Sequence, residues 1–91
     1  MSKNPFVKTI VKFINEHPTF KIIFNHHKQT YNIELLFDAL IFKLKIGISY
    51  KDIENTKYNV NWNSLHYFNK KLVKCKLFKF FLLKNFIWIL L

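Results

Sequence analysis

Ninety-one residues make at most one domain with a single modest core. Eleven Phe, eleven Ile and eleven Leu can fill that core, whereas one Gly and two Pro supply too few turn signals for a many-stranded β fold. A net charge of +10 points to a polyanion, nucleic acid or an anionic membrane, and away from basic partners.

The composition predicts an all-α fold, a small bundle of four to five helices. Asn4 and Pro5 form a helix start, a capping side chain followed by a residue pre-set for the first turn. Phe6, Ile10, Phe13 and Ile14 then recur at helical spacing, Val7 and Val11 broaden the stripe, and Lys8, Lys12 and Asn15 take the other face. The helix is expected over 5–16, because Pro18 pushes the residue before it out of the α region. The apolar run Phe20, Ile22, Ile23, Phe24 predicts a short helix, with a strand or an irregular packing segment as the alternatives, and Asn25 to Gln29 a polar connection.

Asn32 can cap the next helix. Its apolar positions Ile33, Leu36, Phe37, Leu40, Ile41 and Leu44 fall at i, i+3, i+4, i+7, i+8 and i+11, and Gly47 stands where a left-handed C-cap is wanted. Ser49-Tyr50-Lys51-Asp52 resembles a capping box with Asp in place of Glu, so a short third helix should start at Tyr50 and bury Tyr50 and Ile53. Asn55 to Asn59 reads as a loop. Trp62 anchors the entry to a fourth helix with Leu65, Phe68, Leu72 and Cys75 on one face and Asn63, His66, Tyr67, Lys70 and Lys74 on the other. From Leu77 the chain is apolar nearly all round. The expected organisation is one domain in three parts: a first helix and connection (1–31), a helix-turn-helix-like unit (32–78) and an apolar tail packed on the bundle (79–91).

The segments Leu36 to Ile53, Asn61 to Lys71 and Lys74 to Phe78, an apolar helix ending in Gly, a Tyr-Lys-Asp-Ile segment and a basic helix, resemble the N-terminal domain of insertion-sequence transposases. The resemblance covers roughly half of the chain. It implies a DNA-binding unit without strand-transfer activity, since that family cuts DNA with three metal-binding carboxylates in a following RNase H-like domain. The chain would then be a truncated or separately encoded front piece.

The fourth helix has two readings. As a DNA face, Lys70, Lys71 and Lys74 contact phosphates, Asn63 and His66 reach base edges, Tyr67 projects from the same face, Lys51 is a further DNA-binding candidate, and the positive helix end favours a phosphate. As a plain surface, it is a solvated Lys-rich face. All fifteen basic residues are Lys, which AT-rich coding would also produce, and without Arg no side chain can make the forked bidentate contact to guanine.

The remaining constellations are weak. Cys75 alone forms neither a disulfide nor a metal cluster and suits a reducing compartment, and His26-His27 lacks a further ligand at metal spacing. Five acidic residues, with no phosphate loop and no nucleophile-base order, predict no enzyme, no catalytic residue and no cofactor. Met1 to Pro5 lacks a secretory core, so an intracellular protein of cytoplasm, nucleoid or nucleus is expected. DNA is the expected partner. A homo-oligomer or protein contact through the apolar tail comes second and a membrane surface third, since the charge-free run Asn85 to Leu91 is far shorter than the roughly 18–20 residues of a spanning helix.

Overall fold

The computed structural model describes residues 3–24 and 31–90, with side chains up to Leu83. Within them the chain forms five α-helices, α1 (Pro5–Glu16), α2 (Pro18–Phe24), α3 (Ile33–Ile46), α4 (Trp62–Lys74) and α5 (Leu77–Leu90), and no strand. A short 3₁₀ helix, Lys51–Asn55, stands between α3 and α4. The all-α bundle expected from composition is the fold. The polar connection Asn25 to Gln29, with His26 and His27, lies outside the described residues.

Each helix boundary has a local cause. The Asn4 carboxamide oxygen accepts from the Phe6 amide at 2.9 Å, and Pro5 occupies the first turn where its missing N–H costs nothing. Pro18 forces His17 into an extended conformation, ending α1 and opening α2 in one step. The short-helix expectation for residues 20–24 holds, and α2 buries Phe20 and Phe24. Asn32 caps α3 by accepting from the Glu34 amide at 2.7 Å, and Gly47 closes it at φ +79°, its N–H donating to the Lys43 carbonyl at 2.8 Å.

Two apolar stripes differ from the expectation. On α1 the buried line is Val7, Ile10, Val11 and Ile14, with Phe13 beside it, while Phe6 is turned to the flank. There its ring meets Phe81 edge-on, with centroids 6.1 Å apart. On α3 Ile33, Leu36, Phe37 and Leu40 are buried as expected, Ile41 is half-buried, and Leu44 is 69% exposed. Periodicity carries the stripe through Leu44, but the buried part of α3 stops at Leu40, so its last turn runs past the core.

The capping-box segment forms a 3₁₀ run rather than an α turn. Ser49 Oγ accepts from the Asp52 amide at 3.3 Å, Ile53 is fully buried and Tyr50 is half-buried. After α4, Lys76 takes a left-handed conformation at φ +57°, and this break lets α5 begin at Leu77.

One hydrophobic cluster runs from Val7 to Phe81 and takes residues from every helix. At its centre the Phe68 ring of α4 meets Phe37 of α3 at 4.9 Å and 83° and Phe24 of α2 at 5.9 Å and 75°, both edge-to-face. Phe13 makes the corresponding bridge to Phe81 at 5.4 Å, tying α1 to α5. Truncating Phe68 to Ala is expected to cost about 3–5 kcal/mol in denaturant unfolding, the range for a fully packed aromatic, whereas Leu44→Ala stays within about 0.5 kcal/mol.

Candidate nucleic-acid interface

The burial of Leu65, Phe68 and Leu72 fixes which side of α4 faces water. Asn63, Tyr67, Lys70 and Lys74 fall at i, i+4, i+7 and i+11, all four are exposed, and they form one stripe about 16 Å long at 1.5 Å rise per residue. These are four of the seven residues picked out by the sequence. Lys51 approaches the start of the stripe from the 3₁₀ helix, its Nζ 5.8 Å from the centre of the half-buried Trp62 ring.

The other two are engaged inside the fold. His66 is half-buried, its ring in an edge-to-face contact with Tyr50 at 5.1 Å, and the Lys43 ammonium lies 4.3 Å from the centre of the same Tyr50 ring. This file of three side chains ties the end of α3 and the following turn to α4. Lys71 is also half-buried. Its Nζ donates to the Ile23 carbonyl at 3.2 Å near the negative end of α2, and lies 5.5 Å and 5.3 Å from the Phe24 and Tyr67 rings. Sequence spacing set Lys71 beside Lys70 as a phosphate contact, but the next position round the helix faces α2.

The first turn of α4 is occupied as well. Asn61 Oδ1 accepts from the amides of Asn63 at 2.9 Å and Ser64 at 3.4 Å, and Glu54 Oε1 accepts from the Trp62 amide at 2.9 Å. A carboxylate therefore already complements the positive helix end where a phosphate was expected. The stripe begins just beyond it.

A wider charge pattern frames the stripe. All five acidic residues lie at or before Glu54, and residues 55–91 carry seven Lys with no Asp or Glu. Counting charge by segment rather than over the whole chain reveals this half-and-half division from sequence alone. The connections also have defined lengths: four residues, 47–50, join α3 to the 3₁₀ helix, and six, 56–61, lead on to α4, with Asn59 at φ +46° and Val60 fully buried in the second. Among the described residues no group of three or more His, Cys, Asp or Glu is placed to hold a metal ion.

Comparison with protein-family models, with curated proteins and with solved structures finds no match.

Burial pushes the Lys71 ammonium below the ordinary lysine value, partly offset by the Cys75 thiolate, while burial pushes the Cys75 thiol up, against the Leu77 and Cys75 amides and the charge of Lys71. For Lys71 the folded protein disfavours the charged form. Stability is therefore reduced below the lowered folded value and recovers as pH rises from there to the ordinary lysine value. Chemical denaturation across that alkaline window is expected to show a small rise in wild type relative to Lys71→Met, which keeps the apolar stem and removes the charge. Identical pH profiles for the two proteins would show that the ammonium is not desolvated at this position.

Proposed function

We propose that this chain is a DNA-binding module of the kind that fronts insertion-sequence transposases, holding duplex DNA along the exposed stripe of α4 and performing no strand transfer itself. One observation carries the proposal: Asn63, Tyr67, Lys70 and Lys74 share an exposed line on a helix whose opposite face is locked into the core. A 13-residue helix is about 20 Å long and of a width that the major groove admits. In that placement Lys70 and Lys74 contact phosphates, Asn63 meets a base edge at the leading end, Tyr67 donates to the sugar-phosphate backbone, and Lys51 adds a flanking phosphate contact.

Lys71 and His66 have different roles from those of the stripe. Lys71 holds α2 against α4 by its bond to the Ile23 carbonyl, and His66 packs on Tyr50. Both set the angle at which the stripe is presented. The helix-turn-helix-like unit is then α3, the Gly47 turn and the 3₁₀ helix acting as a support, with α4 as the helix that enters the groove.

Binding to a labelled duplex over a salt series tests this. Lys70→Glu combined with Lys74→Glu is expected to weaken binding by tenfold or more and to lower the slope of log affinity against log salt by roughly 2, one counterion for each lost phosphate contact. Lys8→Glu with Lys12→Glu makes the same change in net charge on the outer face of α1 and is expected to act weakly. Equal losses from the two pairs would show that bulk charge, not the α4 stripe, binds DNA.

A further inference from the structure

α5 leaves more apolar surface uncovered than any other helix. Of its side chains described, only Leu77 and Phe81, one turn apart, are buried, while Phe78, Phe80, Leu82 and Leu83 are exposed, the last two at 57% and 50%, with the Phe80 ring also meeting Phe20 of α2 at 5.9 Å between centroids. At about 100° per residue these four cover an arc of roughly 200° around the helix axis. Phe6 on α1, packed edge-on to Phe81 and itself exposed, extends the same surface.

We propose that this face of α5 docks in the interface of an anionic lipid bilayer. The breadth of the arc is the first argument. A helix seated in a protein groove needs an apolar stripe of about 100°, and an arc twice as wide is covered by a fluid medium rather than by one partner face. Charge is the second. Lys76 and Lys79 flank or interrupt the face, and no acidic side chain follows Glu54, so anionic headgroups complement it. A second copy would instead set lysine against lysine with nothing to offset them.

Geometry sets the depth. Fourteen residues span about 21 Å, short of the roughly 30 Å hydrocarbon core, and no helix among the described residues is long and apolar enough to cross a membrane. The helix therefore enters obliquely. Its lysine-bearing first turn stays at headgroup level, with Lys79 extending its stem outward from the middle of the apolar arc. This surface lies on α5 and does not depend on the α4 stripe.

The test uses the full chain with vesicles of phosphatidylcholine alone and of phosphatidylcholine with 30% phosphatidylserine. Flotation is expected with the anionic vesicles, falling with salt, and Leu82→Glu with Leu83→Glu is expected to weaken it by tenfold or more while helicity and duplex binding stay unchanged. A second readout keeps the core intact: Leu83→Cys in a Cys75→Ser background, carrying an environment-sensitive dye, is expected to shift to the blue on anionic vesicles. No shift, or flotation equal for wild type and the double Glu protein, overturns the proposal, as does a concentration-dependent dimer that the double Glu protein abolishes while the vesicles capture nothing.

Discussion

The Phe68 ring, wedged edge-on between Phe37 and Phe24, holds α4 in one rotation about its own axis. Helices of this length are only marginally stable alone, and what fixes them is the burial of one face. Turn α4 by one residue and Leu65, Phe68 and Leu72 leave the core together, while Lys70 and Lys74 would swing toward it. The exposed line of Asn63, Tyr67, Lys70 and Lys74 is therefore a consequence of aromatic packing on the far side of the helix. The same wedge sets α2 beside α4, and that proximity lets Lys71 reach the Ile23 carbonyl.

Lys70 and Lys71 show how neighbours in sequence part company in space. A step of about 100° takes one ammonium into solvent and the other onto a helix end and two rings. Lys71 keeps its long apolar stem against aromatic surface and satisfies its charge on a carbonyl, an arrangement that suits Lys better than a buried ion pair would. The positive end of α4 is treated similarly, with Glu54 and Asn61 supplying acceptors from within the fold. The fold uses these two polar contacts for itself and leaves Tyr67, Lys70 and Lys74, along the middle and far end of the helix, exposed to solvent.

Much of this architecture was legible in the sequence because its signals are local. Asn4-Pro5, Asn32, Gly47 and Pro18 act within a few residues, and each stands where its helix starts or stops. The site was legible in part, since the 3.6-residue period separates Lys70 and Lys74 from Leu65 and Phe68 without any knowledge of partners. What escaped depends on tertiary neighbours. No local rule says that α2 will lie under Lys71, that Tyr50 will take the edge of His66, or that the buried part of α3 ends before Leu44. Phe6 and Val7 differ by one step on the wheel, and tertiary packing decides between them, burying Val7 and leaving Phe6 on the flank against Phe81.

The division of charge links the two surfaces of the C-terminal half. Seven lysines without a carboxylate produce a field that draws any polyanion, so electrostatics alone does not distinguish nucleic acid from lipid. The apolar content of the surface beneath the charge does. Along α4 the lysines share the stripe with Asn63 and Tyr67, polar groups suited to a hydrated groove, whereas along α5 they are interspersed with Phe and Leu, which gain nothing from phosphate and much from leaving water. With Lys alone supplying the positive charge, contacts on either surface are point charges on flexible stems rather than rigid forks. In the proposed DNA complex, such contacts on the α4 side would hold the helix at the backbone, leaving base discrimination to Asn63 and to the shape of the duplex.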